Sequence, residues 1–306
     1  MSNTLRIGYI GLGRMGKNMV LRFLEQGIQV VAWNRSPEPR QEVEKAGAES
    51  TETIEELVKS LKPPRIIWLM LPAGETTEEF IEKLIPVVFR GDLIIDGANS
   101  FYKDTLKRAE KLKSLGIEFM DIGVSGGPSG ARDGACLMVG GSKENYEKVK
   151  ELVIAASSKD AYGHFGQVGS GHFAKMVHNG IEYGMMESIA EGAAILKSSP
   201  LNLDLVEIFR VYNNRSVIES RLVGWLLEAL KEDPKLQEIS SKIGHTGEGE
   251  WTIKTADEMG IDTPALKDAF KVRIESESVN ENSPEGFRNR SVSAMRGKFG
   301  QHQVKK

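Results

Sequence analysis

Leu5-Arg-Ile-Gly-Tyr-Ile-Gly-Leu-Gly-Arg-Met-Gly16 is the stretch that decides the fold. Leu5 to Ile10 reads as a short strand. Gly11, Gly13 and Gly16 then open a helix that carries Met19, Val20, Phe23 and Leu24 and stops at Gly27. Strand, glycine turn and helix in that order form the arrangement that binds a dinucleotide. The first two glycines let the backbone turn tightly and approach a pyrophosphate, which the free N–H groups and positive end of the helix then hold. A glycine pattern by itself is weak evidence. The strand Gln29 to Trp33 completes a strand–helix–strand unit at the right distance, so Gly11, Leu12, Gly13, Arg14, Met15 and Gly16 are expected to line a cofactor.

The end of that second strand selects the cofactor. An acidic residue there would accept a hydrogen bond from the ribose 2′-hydroxyl of NAD, but this chain has Asn34-Arg35-Ser36. A guanidinium beside amide and hydroxyl groups suits a 2′-phosphate, which points to NADP. An arginine lying flat on the adenine would accept NAD as well.

Further strands are expected at Arg65–Leu71, Leu93–Asp96, Ile117–Ile122 and Cys136–Val139, with helices between them. This alternation predicts an α/β Rossmann-type domain, a doubly wound and mainly parallel sheet. Ligands in such sheets sit beyond the carboxyl ends of the strands. Leu71-Pro72-Ala73-Gly74, Asp96-Gly-Ala-Asn99-Ser100 and Val124-Ser125-Gly126-Gly127 all fall there and are expected to meet in one crevice.

From Ser170 onward the apolar period lengthens toward 3.6, as in Val206, Phe209, Val217, Leu222, Trp225, Leu226 and Leu230. An all-α helical domain is therefore expected to follow the sheet, with Trp225 and Leu226 in its core. The glycine cluster from Gly166 to Gly171 puts the boundary near Val168, dividing the chain into residues 1–168 and 169–306.

Within Gly169-Ser-Gly-His-Phe-Ala-Lys-Met-Val-His-Asn-Gly-Ile-Glu-Tyr183, a helix opening at Ser170 lines up Lys175, His178, Asn179 and Glu182 on one stripe. At about 1.5 Å rise per residue, Lys175 and Glu182 stand roughly 10 Å apart along the axis, room for a small polar substrate between a base and an acid. A solvated face would explain a lone Lys and Glu, but His178-Asn179 beside Phe173, Met176 and Tyr183 fit water poorly.

Bulk properties narrow the function classes. The 306 residues are 40% hydrophobic and 27% charged, with a formal net charge of −3. That is ordinary globular composition with no electrostatic footprint for nucleic acid. The single cysteine, Cys136, excludes an intramolecular disulfide framework and is expected as a small core residue. No Cys- or His-rich cluster suggests a metal. With no charged leader and no apolar run of the ~18 residues a membrane span needs, the expected location is the cytoplasm.

The run Gly171 to Tyr183 resembles the catalytic helix of the decarboxylating 6-phosphogluconate dehydrogenases. The likeness extends to Gly11-Leu-Gly-Arg-Met-Gly16, Ile95-Asp-Gly-Ala-Asn-Ser100, Val124-Ser-Gly-Gly127 and Met295-Arg-Gly-Lys-Phe-Gly-Gln-His302. It covers most of the chain in order, with the length of a short form that has one helical repeat. The resemblance implies oxidation and decarboxylation of 6-phosphogluconate with NADP or NAD, by a homodimer or homotetramer that uses no metal. It implies Lys175 as general base and Glu182 as general acid, the lysine pKa falling from about 10.4 toward 7 or 8. Pro72 and Ala73, next to Leu71, would flank the cofactor, and Asn99 would touch cofactor and sugar acid. Ser125, Gly126, Gly127, His178, Asn179 and Tyr183 would bind substrate. Arg273 would bind its phosphate, joined by Arg296 and His302 reaching in from a neighbouring subunit. Two departures stand out: Pro128-Ser129 replaces the family's acidic pair, and Thr246 replaces a phosphate-binding lysine in Thr-Gly-Glu-Gly-Glu-Trp251. The nearest rival is another β-hydroxyacid dehydrogenase, of the 3-hydroxyisobutyrate type, which would lack the acid. A silent NADP(H)-binding sensor would have lost Lys175 or Glu182, and both are present.

Overall fold

The computed structural model describes residues 5–300, 304 and 305. His302 lies outside the described residues. Two compact units divide the chain, residues 1–176 and 177–306; the boundary expected near Val168 falls in the turn just before the helix that joins them.

The first unit is an eight-stranded sheet of β1 (Arg6–Ile10), β2 (Gln29–Trp33), β3 (Glu49–Ser50), β4 (Ile66–Leu69), β5 (Leu93–Asp96), β6 (Glu118–Ser125), β7 (Ala135–Gly140) and β8 (Ser157–Gly166). Their order is β3-β2-β1-β4-β5-β6-β7-β8, and every pairing is parallel except β6 with β7. The helices are α1 (Arg14–Glu25), α2 (Pro37–Lys45), α3 (Ile54–Ser60), α4 (Glu75–Leu84), α5 (Tyr102–Ser114), α6 (Gly127–Asp133) and α7 (Lys143–Ala156). They cover both faces. Met19 and Phe23 of α1 and Leu152 and Val153 of α7 join one buried cluster, while Leu57 of α3, Ile81 of α4 and Leu112 of α5 join another. Strand alternation feeds both: Ile7 and Tyr9 of β1 enter the first cluster and Ile10 the second. This is the doubly wound arrangement expected.

Two strands escape the sequence reading. β3 is only two residues long. β8 is an edge strand, exposed or half-buried after its first residue, so it lacks the apolar run that marks a buried parallel strand. Cys136 also differs from expectation: it is exposed, because strand alternation on β7 turns its neighbours Ala135 and Leu137 inward and Cys136 outward.

The second unit is helical. α8 (Ser170–Ser198) enters it and is followed by α9 (Leu205–Tyr212), α10 (Arg221–Glu232), α11 (Glu248–Glu258), α12 (Pro264–Glu275) and α13 (Pro284–Gly300). Its core gathers Met186, Phe209, Leu226, Leu230, Val292 and Met295. Trp225 packs at the edge of that core, its ring 5.2 Å from that of Phe299. Val217, expected in the apolar period, lies fully exposed between α9 and α10, since the chain breaks the helix there instead of continuing it. Among the described residues no helix is long and apolar enough to cross a membrane.

Candidate active site

The carboxyl ends of β1, β4, β5 and β6 lie along one edge of the sheet, since these strands pair in parallel. β1 pairs with β2 on one side and β4 on the other, so Gly11 leaves the sheet where the strand order reverses. A Cβ on Gly11 would stand 2.3 Å from the Met70 carbonyl oxygen, and its φ is +101°, so no other residue would leave the turn this tight. At Gly13, the N-cap of α1, a Cβ would meet nothing within 4 Å. No side chain caps α1 and no acid sits in its first turn. Bare backbone, open space and an uncapped positive helix end fit a pyrophosphate.

Asn34 is held by the turn it was expected to join. Its Oδ1 accepts from the Leu12 N–H at 2.9 Å and its Nδ2 donates to the Ser36 carbonyl at 3.1 Å, so it braces the glycine turn. Arg35 and Ser36 are exposed and stand at the nucleotide end of β2.

The loop after β5 is held by a buried network that sequence reasoning missed. Asp96 accepts from the Ala98 N–H, the Ser100 hydroxyl and Arg108 Nη1, at 3.0, 2.9 and 3.1 Å. Arg108 also donates to the Gly74 carbonyl at 3.1 Å and to Glu78 at 2.9 Å. One arginine on α5 thus ties the loop carrying Pro72 and Ala73 to the loop carrying Asn99, which is itself exposed. In the sequence, an Asp closing an apolar strand and an Arg on the next helix are the only traces of the pair, and neither points to the other.

Ser125 ends β6, and Gly126, with φ +121°, is the N-cap of α6, which starts at Gly127. Pro128 fills the first turn of that helix, where a missing N–H costs nothing. Lys175, on α8, is 8% exposed and belongs to the same unit, its Cβ so close to β6 that a Cβ on Gly123 would lie 2.4 Å from it.

α8 carries the other members of the stripe. Asn179 is buried, and His178 and Glu182 are half-buried. His178 Nδ1 lies 3.0 Å from Asn179 Oδ1, within hydrogen-bond reach, and 3.8 Å from Glu182 Oε2, so the imidazole stands beside both the amide and the acid. Glycines bring α11 against this helix: a Cβ on Gly180 would stand 2.7 Å from Thr252 Cγ2, and one on Gly249 2.5 Å from the Tyr183 ring.

Around Tyr183 the second unit gathers buried charge. Arg273 is 2% exposed and stacks on the Tyr183 ring, and its Nη1 and Nη2 have no hydrogen-bond partner among the described residues. Burial pushes its guanidinium down to about 10, with Arg296 adding like charge and Tyr183 opposing; it stays protonated at neutral pH. Arg296, 7% exposed, places its guanidinium against Gly244, where a Cβ would lie 3.1 Å from Nη1. α13 is buried over much of its length, Arg296 included. Glu248, also buried, accepts from the hydroxyl of Thr246, the residue that replaces the family's phosphate-binding lysine, at 3.0 and 2.7 Å. Two buried arginines beside a tyrosine, with Arg273 keeping donors to spare, can receive an oxyanion.

Both parts of the chain match known proteins. Residues 6–166 match the NAD binding domain of 6-phosphogluconate dehydrogenase, and residues 171–306 match the 6-phosphogluconate dehydrogenase C-terminal domain. The Bacillus subtilis protein YqeC, a candidate 6-phosphogluconate dehydrogenase by name, is 39% identical over 99% of this chain and 100% of its own length. An NAD(+)-dependent, decarboxylating 6-phosphogluconate dehydrogenase of Haloferax volcanii is 35% identical, with 98% of each chain covered. A solved Plasmodium falciparum 6-phosphogluconate dehydrogenase, described with NADP+ and with 6-phosphogluconate, superposes with a TM-score of 0.82 at 32% identity, over 95% of this chain and 70% of that one. The chain belongs to the 6-phosphogluconate dehydrogenase family of NAD(P)-binding oxidoreductases.

Proposed function

We propose that the chain oxidises and decarboxylates 6-phospho-D-gluconate to D-ribulose 5-phosphate and CO2, reducing NADP, with NAD as a second acceptor. The observation that carries this reading is the layout of α8. A buried Lys175 and a half-buried Glu182 stand seven residues apart on one helix, and Tyr183, the next residue, lies under Arg273. Residues 1–168 take the role of the cofactor domain and residues 169–306 that of the substrate and dimerisation domain.

The bound nicotinamide supplies the hydride acceptor for C3. Lys175, neutral, takes the C3 hydroxyl proton as the hydride leaves. As an ammonium it then donates to the 3-keto oxygen, which holds the electron pair released when the C1 carboxylate departs as CO2. Glu182, protonated, delivers a proton to the carbon that becomes C1 of the product. His178 and Asn179 orient the sugar hydroxyls, Asn99 and the Ser125–Gly127 loop take the carboxylate end, and Tyr183, Arg273, Arg296 and His302 take the phosphate. Exposed Ile181 and Met185 on α8, with Val217 and Ile218, support self-association as a homodimer or homotetramer.

Absorbance at 340 nm with 6-phosphogluconate and each cofactor tests the reading. Turnover of 6-phosphogluconate and none of 3-hydroxyisobutyrate is expected, and the reverse result makes the chain a different β-hydroxyacid dehydrogenase. Lys175→Met should lower kcat by about 10² to 10⁴ and leave NADP affinity within twofold. A variant keeping half its kcat removes Lys175 from the mechanism.

A further inference from the structure

The first turn of α8 is fixed by the sheet. Asp121 of β6, fully buried, accepts the backbone N–H of Gly169 and of His172, each at 2.7 Å. His172 sets its Nδ1 2.7 Å from Thr105 Oγ1 on α5, and is itself 1% exposed. The carboxylate thus satisfies helix-end N–H groups that nothing else in the turn would reach, and its charge lies at the positive end of the helix dipole.

Glycines bring the two elements into contact. A Cβ on Gly171 would stand 2.4 Å from the Met138 carbonyl oxygen, and one on Gly140 2.4 Å from Asp121 Oδ1. A Cβ on Gly123 would stand 2.4 Å from Lys175 Cβ and 3.0 Å from Lys175 Cγ. Asp121, Gly123 and Ser125 follow one another at every second residue, so they share one face of β6. Along about 13 Å of one strand, at ~3.3 Å per residue, that face carries the cap for α8, the seat for the lysine stem and the start of the glycine loop.

We propose that Asp121 and Gly123 are positioning residues for Lys175: the carboxylate pins the first turn of α8 and the bare Cα of Gly123 seats the lysine stem, so that β6 sets the lysine against the Ser125–Gly127 loop. The inference rests on the reading of Lys175 as the base. Neither residue touches substrate. Both act through the lysine, and a displacement of about 1 Å in a catalytic group is enough to cost on the order of 10²-fold in rate.

Gly123→Ala and Asp121→Asn test it from two sides, the first crowding the lysine stem and the second leaving one acceptor oxygen where two N–H groups point. Each variant should lose about 10²-fold in kcat, keep the NADP dissociation constant by fluorescence titration within twofold, and change KM for 6-phosphogluconate less than threefold. Asp121→Ala should lose more than Asp121→Asn. With C3-deuterated substrate the isotope effect on kcat should rise, because hydride and proton transfer become fully rate-limiting. A kcat within twofold of wild type in both variants overturns the proposal. So does a loss of NADP binding in step with melting temperature, with kcat per folded molecule unchanged. The acylation rate of Lys175 by acetic anhydride, read by peptide mass spectrometry against the other lysines, needs no turnover. A change of at least threefold in Gly123→Ala supports the proposal, and an unchanged rate overturns it even if the wild-type enzyme proves to act on another substrate.

Discussion

The guanidinium carbon of Arg273 lies 3.3 Å above the centre of the Tyr183 ring, within a helical core that leaves the arginine 2% exposed. A buried cation stacked on an aromatic face is stabilised by the ring quadrupole, but its terminal N–H groups still need acceptors. A substrate phosphate would supply them. Arg273→Ala should therefore raise KM for 6-phosphogluconate about 10- to 100-fold, the equivalent of one charge-assisted hydrogen bond of about 1.5–3 kcal/mol, with NADP affinity unchanged. Arg273→Lys should recover little, because an ammonium cannot lie flat on the ring or present a planar fork. Steady-state kinetics decide it, and a KM within twofold of wild type in Arg273→Ala removes this arginine from the phosphate site.

Glu187, one turn beyond Tyr183 on α8, is 6% exposed, and burial pushes its carboxyl up to about 7. Arg288, 3.2 Å away, opposes the shift, and Glu191 adds to it. Neither carboxylate oxygen has a hydrogen-bond partner among the described residues. A folded-state value above the unfolded 4.5 means that the native state binds the extra proton. The stability tied to that proton is fully present below pH 4.5 and is lost as pH rises through about 7. Glu187→Gln should remove that loss and be more stable than wild type at pH 8 by about 2–3 kcal/mol, with the gain shrinking toward pH 5. Thermal melts across pH 5–8 report it. A gain independent of pH, or a loss at pH 8, would show that Glu187 is ionised and paired.

The glycine turn and the polar stripe of α8 were legible because each is local. Gly11, Gly13 and Gly16 are demanded by backbone conformation and close approach, and the Lys175–Glu182 stripe follows from helical spacing. The Asp96–Arg108 pair was not legible, since its partners sit 12 residues apart on different elements and meet only through the packing of α5. Asp121 was hidden for the same reason: in sequence it is an acid inside a strand, and its partners Gly169 and His172 lie 48 and 51 residues away. β8 gave no signal because an edge strand need not be apolar, and the burial of Asn289, Ser291 and Ser293 on α13 was hidden because small and polar residues carry no apolar period.

That helix sets a stability test. Met295 and Val292 are fully buried in the helical core, and Phe287 is 4% exposed. Met295→Ala should cost about 2–5 kcal/mol, the range for removing a large apolar side chain from a core that cannot fully collapse. A chain ending after Pro284 loses α13 beyond its first residue and should leave residues 177–284 without their core, while the sheet of the first unit still binds NADP. Denaturant melts followed by far-ultraviolet circular dichroism check both. A truncated chain that keeps its full helical signal and its midpoint would return α13 to the status of a dispensable extension.

Cofactor selection separates two neighbouring residues by what each side chain already does. Asn34 is committed at both ends, to the Leu12 N–H and to the Ser36 carbonyl, so it shapes the turn on which either dinucleotide rests. Arg35, exposed at the end of β2, makes none of those bonds, and a 2′-phosphate would give its guanidinium a charged partner. Arg35→Ala should raise KM for NADP at least tenfold, about 1.4 kcal/mol, and barely alter KM for NAD. Asn34→Ala should weaken both cofactors by a similar factor, because freeing the Leu12 amide loosens the loop under the shared pyrophosphate. The two variants assayed with both cofactors form a cross-check. If Arg35→Ala affects NAD and NADP equally, the arginine stacks on the adenine and phosphate recognition lies with Ser36 or Arg14. If Asn34→Ala affects NADP alone, its amide reaches the 2′-phosphate and the brace on Leu12 is secondary.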